Sequence, residues 1–434
     1  MKHAFRYSVL FLTMVLFSCL LLLAGGLVPQ SMLKAHMAES LVQLEQEGTN
    51  YGVLYSGHPR STLDNYSEFR ILTHSYYMDA AENPRAVLTN PGWAPNSFNV
   101  KTLFSDAHDA ILADAPANLT YTRYWMGFRA VVRPLMAVMN YMDMRQLIQW
   151  TFFLLVGAVT LQLYRKTHSF WIAMGFMFSI SQLNPIAISA CFQFSICFII
   201  ALIGMLLTLS LRFQRITEPM LFFILGTATQ YFDFYTTPVL TFGLPILALL
   251  LRRQFEGQAD FRFRVSLKRV LLCLAAWASA YTLMWLAKLS LTALLSGPLA
   301  FSDAFDRLSS WMAYTPGQES ALSSIGNALF FTGLNLFDLV PAVLEGALII
   351  AYLFTIARKK PPKEIWRENV IYLFVAFLPI LWIIASAKPS YHHMYFQYRG
   401  LGVAMFGGIL FLLNTARRET AQHVAASAPQ NPLH

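Results

Sequence analysis

Over most of its length the chain carries its apolar residues in solid blocks of about 20, almost free of charge. Such blocks are apolar on every side, which predicts membrane-crossing helices rather than the one-sided helices of a soluble core. The first runs from about residue 8 to 28 behind Lys2 and Arg6. It is long for a cleaved leader and lacks a small-residue exit, so it predicts an uncleaved first helix. Nine more spans are placed at 146–164, 169–185, 188–211, 218–234, 236–251, 270–294, 339–357, 369–386 and 399–415. An even total of ten leaves both termini on one side.

Between the first two spans lies a polar excursion, residues 29–145. Ser31 to Glu47 has helical spacing (Met32, Leu33, His36, Leu41, Leu44), and the stretch up to Asn118 is broken by turns at Asn83-Pro84, Asn90-Pro91 and Ala94-Pro95. From Tyr121 to Tyr141 a second helix is expected. Met126, Arg129, Arg133, Met136 and Asn140 share one face, opposite Phe128, Val131, Val132, Leu135 and Val138. Two arginines are costly inside a bilayer, so this helix is expected to lie in the interface plane with Pro134 bending it. The chain thus divides into a first transmembrane helix (1–28), an outer loop with interfacial helices (29–145), a multi-helix transmembrane domain (146–418) and a disordered tail (419–434). The fold class is an all-α polytopic membrane protein. The excursion is too short and too poor in strand pattern to predict a separate domain.

Composition narrows this further. The chain is 56% hydrophobic and only 13% charged, against about a quarter charged in soluble domains. Its net charge of +9 raises nucleic acid as a partner. Sorted by the predicted spans, however, 19 of 32 basic but only 6 of 23 acidic residues fall on the side of the termini. That is the positive-inside pattern; it places both termini in the cytoplasm and removes the need for nucleic acid. The four cysteines fall in apolar blocks and none in the excursion, so neither a disulfide framework nor a CxxC metal site is expected. Lys288 lies near enough to a span end to snorkel.

Three short blocks stand out: Asp64-Asn65-Tyr66-Ser67-Glu68; Tyr124-Trp125-Met126-Gly127-Phe128 with Arg133-Pro134-Leu135; and Ser390-Tyr391-His392-His393 with Tyr398-Arg399. With the architecture, they resemble the GT-C class of polyprenyl-phosphate-dependent glycosyltransferases, in particular uncharacterised bacterial integral membrane members. In these the blocks often read Asp-Asn-x-Thr-Asp, Arg-Tyr-Trp-His-Gly and His-Ser-x-x-His. Here Glu68 replaces the second acid, Met126 the histidine, and Lys388 and Pro389 disturb the last block. The resemblance implies an inner-membrane transferase that moves a sugar from a polyprenyl-phosphate donor to an envelope glycan or lipid acceptor on the outer face. The second reading is a non-catalytic transporter or flippase of a lipid-linked saccharide. Scarce midplane charge weighs against that one.

The residues carry a chemical reading of their own. Sugar transfer needs a base for the acceptor hydroxyl, and Asp64 and Glu68 stand i, i+4, one helical turn apart. Either both serve catalysis or both are solvated loop acids, with Asp79, Glu82, Asp106, Asp109 and Asp143 as rivals. A departing polyprenyl phosphate needs cations, since guanidinium pairs with phosphate oxygens. Arg129 and Arg133 are the first candidates, Arg123 and Arg399 the second, with ordinary anionic lipid headgroups as the competing use. Tyr124, Trp125, Asp233, His392 and His393 are candidate substrate contacts, beside a role for the aromatics in the interfacial belt. No two-histidine metal spacing occurs, and no cofactor is called for beyond a divalent cation left open.

Overall fold

A computed structural model describes residues 2–48, 61–97, 99–210, 216–232, 237–256, 261–297, 299–312, 321–336 and 363–427. These form an all-α membrane protein in two packed parts. The first part is an outer layer beyond the end of α1 (Lys2–Gly26). It comprises α2 (Lys34–Gln46), α3 (Asn65–Tyr76), α4 (Ala86–Thr89), α5 (Leu103–Leu112) and α6 (Arg129–Met136). Two short strands, β1 (Pro91–Gly92) and β2 (Leu119–Thr120), pair antiparallel within it.

The second part is the bundle: α7 (Tyr141–Thr167), α8 (Phe170–Ser181), α9 (Pro185–Ser189), α10 (Phe192–Ser210), α11 (Glu218–Phe232), α12 (Val239–Phe255) and α13 (Phe263–Ser296), then α14 (Leu299–Met312) and α15 (Ala321–Leu336). The helix Lys363–Ala385, two short helices Ala387–His392 and Met394–Gln397, and the helix Gly402–Ser427 complete it. The last runs into the stretch expected to be disordered.

Among the described residues six helical stretches are long and apolar enough to cross a membrane: Phe5–Gly26, Tyr141–Thr167, Phe192–Ser210, Phe263–Ser296, Lys363–Ala385 and Met394–Ala416. The expected spans at 169–185, 218–234 and 236–251 appear as the shorter helices α8, α11 and α12. The span at 339–357 lies outside the described residues. The outward side of the bundle is apolar, with Trp150 70% and Leu154 69% exposed. A wall of such residues suits lipid and not water. Inside, α11 meets α13 where Gly226 has no side chain: a Cβ there would come within 2.3 Å of the Trp277 carbonyl oxygen. At the far end Arg269 (2.8 Å) and Arg253 close on Glu218, and Arg252 on Glu256 (2.7 Å).

The outer layer differs from expectation in two ways. It has a hydrophobic core of its own, in which Leu33, Met37 and Leu41 of α2 meet Phe69 and Leu72 of α3, Phe104 and Ile111 of α5, and Val132 and Met136 of α6. It is therefore a folded layer and more than a loop. In addition, the in-plane helix expected from Tyr121 to Tyr141 is confined to Arg129–Met136. It is preceded by a turn in which Met126 takes a left-handed φ of 52°, and its arginine face points inward. Arg129 and Arg133 are both 0% exposed, while Val131 faces out.

The physical reason lies in the carbonyl groups that close this layer. Helix C-termini and loop crossings leave carbonyls without partners, and a guanidinium offers five N–H donors. Arg133 donates to the carbonyls of Val28 (2.6 Å), Ser75 (3.0 Å) and Tyr76 (2.5 Å), joining the ends of α1 and α3, and to Asp79 (3.3 Å). Arg129 donates to the carbonyls of Ala86 (3.3 Å), Val87 (2.8 Å), Met126 (3.2 Å) and Trp125 (3.3 Å), and to the Asn90 side chain (2.5 Å). Lys288 does the same work from α13. Buried rather than snorkelling, its ammonium donates to the Leu88 carbonyl and to Thr292 (3.0 Å).

Candidate functional site

The two hydrophobic cores meet along a seam, and the Asp64–Glu68 block lies across it. Leu63 belongs to the core of the bundle and Phe69 to that of the outer layer. At the start of α10 the same division recurs: Phe192 packs with the outer layer and Phe194 with the bundle. Polar side chains between these anchors are held where the two parts touch.

Asp64 is the N-cap of α3. Its carboxylate accepts the Ser67 N–H (3.0 Å) and the Ser67 hydroxyl (2.7 Å), satisfying a helix-start donor. It is only 4% exposed. Burial raises its pKa to about 6, opposed by the two Ser67 hydrogen bonds and by the positive charge of Arg399. A carboxyl group so placed exchanges a proton near neutral pH.

Arg399 comes from the opposite end of the chain, in the turn Tyr398–Leu401 that precedes the last helix. It is 1% exposed. Its guanidinium lies over the rings of Phe194 (4.1 Å) and Tyr398 (5.1 Å), an arrangement that favours the cation. Of the four arginines singled out by sequence, Arg399 is the one whose charge acts on Asp64. Arg129 and Arg133 are spent on main-chain carbonyls. Arg123 pairs with Asp303 (2.8 Å) and lies over the Tyr121 ring (4.4 Å).

Glu68 follows one turn after Asp64 but is a tie rather than a solvated acid. Its carboxylate accepts the Tyr141 hydroxyl (2.7 Å) and the N–H groups of Phe192 (3.0 Å) and Gln193 (3.1 Å). Those are the first donors of α10, where the helix dipole favours an anion. Arg145 continues the chain by donating to the Tyr141 oxygen (3.0 Å) and to Glu47 (3.1 Å). Burial raises the Glu68 pKa to about 7, against the pull of these donors and of Arg145. Glu68 thus fastens α3 to α7 and α10 beneath Asp64.

The remaining candidates separate. Trp125 is buried and its indole N–H is donated to the Met284 carbonyl (2.7 Å). The neighbouring Tyr124 is buried, and its carbonyl accepts from Asn90 (2.7 Å). Gly127 packs under the Tyr231 ring, which a Cβ would meet at 2.3 Å. This block thus locks the outer layer onto the bundle. His392 and His393 are exposed, and the His393 ring stacks on Phe396 (5.9 Å), itself against Phe194 (4.8 Å). Asp233 lies outside the described residues.

The rival acids have local duties. Asp79 accepts the N–H groups of Ala81 (3.0 Å) and Glu82 (3.1 Å), Asp106 the Thr102 hydroxyl (2.8 Å), and Asp143 completes a capping box with Asn140. Among the described residues no three His, Cys, Asp or Glu side chains converge as a metal site would require.

Sequence reasoning passed over Gln193, Gln397, Tyr141 and Arg145. The first two carried a signal: each is an amide set between aromatic residues, Phe192-Gln193-Phe194 and Phe396-Gln397-Tyr398. A polar group in an apolar run is the mark of a buried polar contact.

By fold the chain is a polytopic α-helical membrane protein with a helical layer on one end of its bundle. No family model, no curated protein and no solved structure matches it.

Proposed function

We propose that the chain is a membrane glycosyltransferase of GT-C type. It would move a sugar from a polyprenyl-phosphate donor to an envelope glycan or lipid acceptor. The observation that carries this reading is that Asp64 and Arg399 are both almost wholly buried, with the Arg399 charge acting on the Asp64 carboxyl group. Asp64, with its pKa raised to about 6, takes the proton of an acceptor hydroxyl. Arg399 offsets the charge that develops on the departing phosphate. Single displacement at the anomeric carbon breaks its bond to the phosphate oxygen and forms one to the acceptor oxygen, inverting the centre. Both groups are covered, so substrate access requires the seam to part.

The same reading takes ten spans, a bacterial cytoplasmic membrane, and termini on the cytoplasmic side with the seam facing outward. It follows from the sorting of basic residues away from the outer layer.

The test uses the purified chain in lipid nanodiscs with a radiolabelled polyprenyl-phosphate hexose and a lipid-extract acceptor. Sugar release by the wild type, lost in Asp64→Asn with donor binding retained, is the expected result. Movement of the intact donor across proteoliposomes without sugar release would point instead to the flippase reading.

A further inference from the structure

The seam holds amide groups that its protein contacts do not use. Asn65, the first residue of α3, is 0% exposed, yet among the described residues neither its Nδ2 nor its Oδ1 has a hydrogen-bond partner. The Gln193 and Gln397 side-chain carbonyls are likewise buried and unpartnered. A buried amide left unpaired destabilises a fold, so most are satisfied. Each is tied to the Asp64–Glu68 block or to Arg399 by chain position or by a backbone hydrogen bond. Asn65 adjoins Asp64. Gln193 is the residue whose backbone N–H is donated to Glu68, one turn along α3 from Asn65. Gln397 stands two residues before Arg399.

We infer that Asn65, together with the Gln193 and Gln397 side-chain carbonyls, forms a subsite for a hydroxyl-bearing ring such as a hexose. A carboxamide offers two donors and an acceptor, and a ring hydroxyl both gives and takes a hydrogen bond. Unspent amides are therefore matched to adjacent hydroxyls, whereas a phosphate would call for donors alone. The Asp64 carboxylate and the Arg399 guanidinium supply the charges. The amides supply neutral recognition of the ring between them. The inference rests on the transferase reading and adds to it the residues that read the sugar.

The experiment uses the full-length chain in nanodiscs and the variants Asn65→Leu, close in shape, and Asn65→Ala, which is smaller and introduces no clash. Three probes are titrated: a polyprenyl-phosphate hexose, the same polyprenyl phosphate without sugar, and the free hexose. Asn65→Leu is expected to raise the unliganded melting temperature by about 2 °C, because an unpaired amide is removed. Its affinity for the sugar-bearing lipid is expected to fall about tenfold, with that for bare polyprenyl phosphate unchanged.

A lower melting temperature in both variants with sugar affinity intact would show that Asn65 is a structural residue, overturning the inference. A higher melting temperature with unchanged sugar affinity would assign Asn65 to a buried water and overturn it equally. So would an equal loss for both lipids, or no binding of a sugar-bearing probe by the wild type. If the wild type binds the sugar lipid through Asn65 but releases no sugar, the subsite stands and the transferase reading falls.

Discussion

Replacing Arg133 by methionine tests where its guanidinium points. The side chain donates to three carbonyls, those of Val28, Ser75 and Tyr76, and to Asp79. Methionine fills similar volume but donates nothing, so the Val28 and Tyr76 carbonyls are left buried without it, while that of Ser75 keeps the Met78 N–H (3.4 Å). One orphaned buried acceptor costs about 1–3 kcal/mol. Asp79 keeps the N–H groups of Ala81 and Glu82 and is the least affected. Breaking a buried charged group away from its partners costs about 3–5 kcal/mol in all. That is a large share of a marginal folding free energy of about 5–15 kcal/mol. The expected result in nanodiscs is a fall in melting temperature on the order of 10 °C. Arg133→Lys, with one ammonium for several acceptors, should recover only part of it. Vesicle binding with anionic lipid is the control. If Arg133→Met melts like the wild type but loses affinity for anionic lipid, the guanidinium faces headgroups and the clamp described here is wrong.

Other expectations follow from the seam and the bundle. The acid limb of the transfer rate should bend near pH 6, the protonated Asp64 being unable to accept a proton, with Asp64→Asn about a hundredfold slower or worse; a rate flat from pH 5 to 8 would count against Asp64 as base. Glu68 has a folded pKa of about 7 against 4.5 for an exposed glutamate, so the acid is held more tightly in the fold. Its contribution is complete below pH 4.5 and is lost as pH rises through about 7, on the order of 3 kcal/mol; Glu68→Gln should flatten melting temperature against pH across that window. Gly226→Ala should destabilise the chain by about 1–3 kcal/mol, because a Cβ there meets the Trp277 backbone and not a movable side chain; an unchanged melting temperature would mean that α11 and α13 are not in this contact.

Reading from sequence succeeded where one physical rule dominates. Apolar blocks without polar faces can only be spans, and α1, α7, α10, α13 and the helix Lys363–Ala385 follow them. The i, i+4 spacing put Asp64 and Glu68 together on one helix, whereas Asp64 caps α3 from outside and only Glu68 lies within it. Arg129 and Arg133 were misread for an instructive reason. Helical projection placed them together on one face, which is how they stand, but projection carries no sign. The rule that arginine seeks water or headgroups ignores an interior supply of unpartnered carbonyls. That supply is a tertiary fact, made when the ends of α1, α3 and α4 converge, and no local pattern announces it.

The same convergence bears on the proposed transferase chemistry of the seam. Arg133 and Arg129 join the closing ends of α1, α3 and α4, while Lys288 ties α4 to α13. Glu68 then fixes α3 to α7 and α10. Together they hold the start of α3 between two cores, and among the described residues the Asp64 carboxylate accepts hydrogen bonds from Ser67. A carboxylate has about four acceptor positions, and two of those on Asp64 are engaged by Ser67. The rest are positioned by a rigid frame beside a cation, which is what a base acting on a bound hydroxyl requires. The cationic clamps and the candidate base are thus one design. Arg129 and Arg133, expected from sequence to meet phosphate, belong to the frame around the acid chosen with them.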